Sequence, residues 1–206
     1  MKLYVVRHGQ TDANVTGAIQ CYNNDIDLNE KGILQAKETA VLCKNLNIDL
    51  IISSPMKRAV HTADIINQLL DVEIILDDRL MERNTGILGG KILDPKEKEL
   101  IWDYNVNQSY EGAESIDDVF KRVDLFIKEL INKYGNTDEN ILLASHGGVT
   151  KTLCCLFDKI PEDGNLNNVG QTNCEVKEYI IENYINYEVT SNEINEYSKK
   201  WFIILS

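Results

Sequence analysis

Apolar positions along the chain form short continuous runs, separated by longer stretches in which they recur every three or four residues. Residues 3–6 (Leu-Tyr-Val-Val) make the first run, closed by Arg-His-Gly. Runs of this length, bounded by polar residues and glycine, predict buried strands. The pattern recurs at 49–53, 72–76 and 140–145. Between them lie helical stretches. Asn29 is placed to cap a helix over about 30–46, whose apolar face carries Ile33, Leu34, Ala40, Val41 and Leu42. Ser54-Pro55 reads as a cap followed by proline at the first helical position, with a helix to about Leu70. Ser115, with Asp118 three residues on, opens a long amphipathic helix to about Tyr134. Another helix follows His146-Gly147-Gly148 and runs to about Phe157.

Residues 10–28 are polar and turn-rich and are expected as a loop. Residues 77–113 are mixed, with a short helix near 95–104. Segments 174–181, 184–190 and 201–205 carry strand-like composition without a readable order. Strands alternating with helices predict a three-layer α/β/α sandwich with a central, largely parallel mixed sheet. The 206 residues fit a single domain, with a lid-like insert at about 84–113 and a tail at about 181–206. In such sheets, sites form beyond the carboxyl ends of the strands. His8 and His146, two of the three histidines, fall at such ends.

The formal net charge of −12 disfavours nucleic acid and anionic membranes as partners. An anion site on this chain has to be a local basic cluster in an acidic background. The arginines that can build one are Arg7, Arg58, Arg79, Arg83 and Arg122. Five scattered cysteines without a Cys-x-x-Cys spacing read as reduced thiols, which with the absence of a secretory signal pattern at the N-terminus predicts a cytoplasmic protein. No apolar run approaches the ~20 residues that span a bilayer.

Four segments carry chemistry. Arg7-His8-Gly9-Gln10-Thr11, with Asn14 beyond, joins a planar cation suited to phosphate oxygens to an imidazole that is largely neutral at pH 7. The neighbouring cation favours the unprotonated, nucleophilic form. Glycine permits close backbone approach, and Asn14 can add an amide donor. Arg58, in Ser54-Pro55-Met56-Lys57-Arg58-Ala59, is expected in the first turn of a helix, where free N–H groups also favour an anion. His61, one turn on, is expected as a surface or partly buried helix residue. Glu82, in Leu80-Met81-Glu82-Arg83, supplies a carboxylate able to protonate a leaving alkoxide. His146, in Ser145-His146-Gly147-Gly148, can donate to a phosphoryl oxygen.

The ordered set resembles the histidine phosphatase superfamily, also called the phosphoglycerate mutase-like family. The resemblance rests on Arg7-His8-Gly9 with Thr11 and Asn14, on Leu28-Asn29-Glu30-Lys31-Gly32, and on Ser53-Ser54-Pro55 through Arg58-Ala59 to Thr62-Ala63. It continues with Glu82, Gly86 and Gly90, Glu114-Ser115, and Ser145-His146-Gly147-Gly148. It implies that His8 takes the phosphoryl group as a phosphohistidine. Arg7, Arg58, His146 and Asn14, with Gly147, form the phosphate pocket, and Glu82 acts as acid and then base. Arg83 is expected on the substrate, where it can hold a carboxylate.

The resemblance implies no cofactor and no metal. A zinc reading of His8, His146 and Glu82 places two arginines beside a divalent cation and lacks a His-Glu-x-x-His spacing. The same core serves phosphatases and cofactor-dependent mutases. Thr85 stands where mutases usually carry tyrosine, and 91–121 contains no arginine but includes Asp94, Glu97, Glu99, Asp103 and Glu111. That composition favours water as the acceptor, and the resemblance implies a small phosphorylated metabolite as the substrate. Retention of His8, Arg58, Glu82 and His146 disfavours an inactive ligand-binding module. The oligomeric expectation is a monomer or homodimer.

Overall fold

A computed structural model describes residues 1–181. Five strands, β1 (Lys2–Arg7), β2 (Leu50–Ser53), β3 (Glu73–Leu76), β4 (Asn140–Ser145) and β5 (Val176–Ile180), form one sheet in the order β3-β2-β4-β1-β5. The first four are mutually parallel and β5 runs antiparallel on the edge of β1. The expected sandwich with a largely parallel mixed sheet is therefore observed. The expected strands at 184–190 and 201–205 lie outside the described residues.

Both sheet faces are covered, which is why the central strands read as continuous apolar runs. Leu3, Val5, Leu50, Ile52, Ile141 and Leu143 point to the layer of α5 (Ile116–Tyr134) and α6 (Gly147–Phe157). Tyr4, Val6, Ile51, Leu142 and Ala144 point to the opposite layer, with Ala40 and Cys43 of α2 (Glu30–Cys43) and Ala63 and Ile66 of α3 (Lys57–Asn67). The alternation along β1 and β4 assigns each residue to one of the two cores.

Local chemistry sets the helix starts. The Asn29 side chain accepts from the Gly32 N–H, and Ser115 and Asp118 form a reciprocal capping box. Two starts differ from expectation. Within 10–28, α1 (Asp12–Thr16) forms because Thr11 and Asn14 cap each other, and Gly17 at φ 75° ends it. The helix after β2 starts two residues later than Ser54-Pro55 indicates, with Met56 as its N-cap and no side-chain cap bond. The Ser54 hydroxyl is instead engaged with Met56 N–H and with His146.

The segment 84–113 returns close to its origin through a bridge between Thr85 and Ala113. It holds α4 (Pro95–Ile101) and a small apolar cluster of Leu88, Leu93 and Ile101, against which Ile19, Trp102 and Tyr110 pack. Among the described residues, no helix is long and apolar enough to cross a membrane.

Candidate active site

The parallel strands bring three chain segments to one edge of the sheet. His8 follows β1, His146 follows β4 and Ser54 follows β2, tied by His8 N–H to Ser145 O (2.8 Å) and Ser54 N–H to Ala144 O (3.0 Å). The His8 and His146 rings lie 5.3 Å apart between centroids. His8 is buried, and its Nδ1 lies 2.7 Å from Gly9 O. A carbonyl can only accept, so Nδ1 carries the proton and Nε2 keeps its lone pair. Burial, then the Arg58 and Arg7 guanidinium groups, hold the His8 pKa well below that of free histidine, with the Gly9 bond opposing.

Arg58 is fully buried in the first turn of α3, where its contacts are Asp25 at 3.5 Å and Met56 Sδ at 3.8 Å. Arg7 donates to Gln171 O at 3.0 Å and lies across Gly147. A Cβ on Gly147 would sit 3.5 Å from the guanidinium carbon. Six buried side-chain nitrogen or oxygen atoms among the described residues have no hydrogen-bond partner, and Arg7 Nε, Arg58 Nε and His146 Nδ1 are three of them. Buried polar groups are normally paired. Three unpaired nitrogens in one cluster, two of them permanent cations, make an environment for an anion.

Glu82 is held by the turn that starts α6. Its Oε1 accepts from Arg83 N–H (2.8 Å) and Gly148 N–H (3.0 Å), while Oε2 lies 3.3 Å from the Gly148 nitrogen. Oε2 is the less constrained of the two oxygens, and a carboxyl group can carry a proton there. Burial lowers the pKa of both Arg7 and Arg58, and the nearby Glu82 opposes that lowering. Asn14 accepts at Oδ1 from Thr11 N–H (3.0 Å) and Asn173 Nδ2 (3.3 Å), which leaves its amide nitrogen for a ligand.

A model of the histidine phosphatase superfamily (branch 1) matches residues 3–193. The chain belongs to the histidine phosphatase superfamily. It is 30% identical over 161 residues to phosphoserine phosphatase 1 of Hydrogenobacter thermophilus, with 75% of each chain covered. It is 31% identical over 172 residues to a 2,3-bisphosphoglycerate-dependent phosphoglycerate mutase of Cytophaga hutchinsonii, covering 78% of this chain and 79% of the other. Among solved structures, a mycobacterial glucosyl-3-phosphoglycerate phosphatase in complex with VO3 superposes with a TM-score of 0.76 at 28% identity, covering 86% of this chain and 90% of that one. This histidine phosphatase is accordingly a hydrolase acting on phosphomonoesters.

One expected site residue of this histidine phosphatase is placed elsewhere. Arg83 is fully buried and donates to three backbone carbonyls: Glu114 O at 3.0 Å, Gln108 O at 2.7 Å, and Ile101 O. Its guanidinium also lies over the Trp102 ring at 5.3 Å. Arg83 ties 101–114 to the base of the insert, with its guanidinium engaged by backbone carbonyls where the expectation put a substrate carboxylate. His61 bonds Asp27 at 2.8 Å on the exposed side of α3.

Sequence reasoning missed the belt before β5. Asn173 Nδ2 donates to His8 O (2.8 Å), Cys174 N–H donates to Arg7 O (2.9 Å), and Gln171 Nε2 donates to Val5 O (2.8 Å). These bonds fix the backbone of the Arg7-His8 segment from a stretch more than 160 residues away. Turn residues at 170–173 were the sole sequence signal there, and they do not name a partner.

Proposed function

We propose that the protein hydrolyses a small phosphomonoester without a metal ion, through a phosphohistidine on His8 Nε2. The observation that carries this reading is the Nδ1–H bond of His8 to Gly9 O, which frees Nε2 beside Arg7, Arg58 and His146. In the first transfer, the Nε2 lone pair attacks phosphorus and the ester oxygen leaves with the proton of Glu82. In the second, Glu82 takes a proton from water as that water attacks the phosphohistidine, and phosphate departs. Arg7, Arg58 and His146 spread the charge of the equatorial oxygens. Two guanidinium groups in the cluster repel a divalent cation, which supports the metal-free reading.

Water as the acceptor is supported by the commitment of Arg83 to backbone carbonyls and by the arginine-free stretch at 91–121. The phosphoserine and glucosyl-3-phosphoglycerate named for its relatives suggest the size and class of substrate. The test is an assay with EDTA against a panel of phosphorylated metabolites, beside His8→Ala and a mutase assay on 3-phosphoglycerate. The expected result is phosphate release that survives EDTA, vanishes in His8→Ala, and is accompanied by an acid-labile phosphoenzyme. An active His8→Ala or a strict metal requirement overturns the mechanism, and isomerisation without phosphate release overturns water as the acceptor.

A further inference from the structure

We infer that Ser54 is a positioning residue that fixes the tautomer of His146, placing its proton on Nδ1 so that the neutral ring donates to the transferring phosphoryl group. Two hydrogen bonds define the arrangement. The Met56 N–H donates to Ser54 Oγ at 3.3 Å, and Ser54 Oγ lies 2.8 Å from His146 Nε2. Ser54 and His146 are both fully buried.

Proton accounting decides the direction of the second bond. A hydroxyl has one hydrogen and two lone pairs. If Ser54 donates to Nε2, its oxygen accepts from Met56, its hydrogen is used, and one buried donor, His146 Nδ1–H, is left over. If Nε2–H donates to Ser54 instead, the serine hydrogen has no acceptor and Nδ1 is a bare buried lone pair. The first arrangement leaves one buried group unpaired and the second leaves two. Protonation of both nitrogens is opposed by complete burial and by Arg58, His8, Arg122 and Arg7 around the ring.

The remaining unpaired atoms agree with the first arrangement. Arg7 Nε and Arg58 Nε are buried donors without partners, as Nδ1–H is. An anionic oxygen is attracted by three donors, whereas a lone pair on Nδ1 would repel it. The two imidazoles therefore share one tautomer with opposite uses. Gly9 O holds the His8 proton on Nδ1 and exposes a nucleophilic Nε2. Ser54 occupies Nε2 of His146 and exposes a donating Nδ1–H.

This inference rests on the phosphoryl-transfer reading for its kinetic consequence alone, since the tautomer is measurable without turnover. Long-range ¹H–¹⁵N correlation spectra of the full chain, with His8→Asn and His61→Asn variants to assign the signals, read it directly. In the wild type, His146 Nδ1 should resonate as an N–H nitrogen and Nε2 as a lone-pair nitrogen. Ser54→Ala should move His146 to the other tautomer or a mixture and lower kcat roughly 10–100-fold, with a smaller change in KM. Ser54→Thr, which keeps the hydroxyl, should restore both. A wild-type His146 protonated on Nε2 overturns the proposal, and so does a folded Ser54→Ala with an unchanged tautomer. The expected tautomers in a protein that releases no phosphate would overturn the functional reading while leaving the role of Ser54 intact.

Discussion

His8 and His146 leave two adjacent parallel strands one residue past their last register pair, and their rings meet at 5.3 Å with an interplanar angle of 56°. Both pKa values lie well below 6.5, because burial and the arginines disfavour a positive charge on either ring. In the folded protein both rings stay neutral at pH values where the unfolded chain has begun to protonate them. The unfolded state then binds more protons, so stability falls as the pH drops below 6.5 and is unaffected by these groups above it. The carboxylates with lowered pKa, Asp27, Asp77 and Asp118, act below 3.8, outside this window. Urea midpoints should therefore fall between about pH 6.5 and about pH 5, and fall less in His8→Gln. Equal slopes in the two proteins would contradict the assignment.

The two oxygens of Glu82 have different surroundings, and Glu82→Gln exploits the difference. The amide oxygen of glutamine can still accept from Arg83 N–H and Gly148 N–H, so the fold and the phosphate pocket should persist. Loss of a transferable proton should lower kcat on an alkyl phosphate by roughly 10²–10⁴. An aryl phosphate needs no proton on its leaving group, so its first transfer should survive and give a burst of phenol with a slow second step. Similar losses in burst rate on alkyl and aryl esters would remove Glu82 from the acid role.

Arg83 separates a structural reading from a binding one. Its removal leaves the carbonyls of Glu114, Ile101 and Gln108 without their buried donor and takes a cation from the face of Trp102. Arg83→Met should cost roughly 3 kcal/mol or more in denaturant unfolding. At temperatures where the variant remains folded, KM for phosphomonoesters lacking a carboxylate should change little. A stable variant with a selective KM increase for carboxylate-bearing esters would return Arg83 to the substrate.

The contrast between Arg83 and Arg58 shows what the chain disclosed before folding. The strand runs, their helical spacers and the polar residues that end them were legible, because the period of apolar burial is a local property. That placed His8, Arg58 and His146 near one sheet edge. Both arginines stand in segments that carry candidate chemistry, and only tertiary contacts show that Arg83 faces carbonyls while Arg58 keeps an unpaired Nε. Asn173 escaped notice because its bond to His8 O spans 165 positions and an amide in a turn is ordinary. Ser54 was read as a helix cap, which its composition suits; its engagement with His146 exists only because β2 and β4 are neighbours. The α1 turn was hidden in a polar stretch without apolar period, where two side chains rather than a buried face make the helix.

Gly148 gives the last and most local prediction. A Cβ there would collide with Glu82 Oε1 and lie 2.6 Å from Trp102 Cη2, whereas a Cβ on Gly9 would lie 2.5 Å from the backbone oxygen of Gly32. Side chains can yield where backbone cannot. Gly148→Ala should thus keep the fold, with glycine replaced by a better helix former at the second position of α6. The carboxylate must move to make room, and a displacement near 1 Å in a proton-transfer group costs on the order of 10²-fold in rate. Thermal unfolding close to wild type, with kcat on an alkyl phosphate lowered about 100-fold, is the expected pair of results. Gly9→Ala, forced against backbone, should lose stability and activity together. Unimpaired turnover in Gly148→Ala would mean that the position of Glu82 against the start of α6 is not what sets the rate.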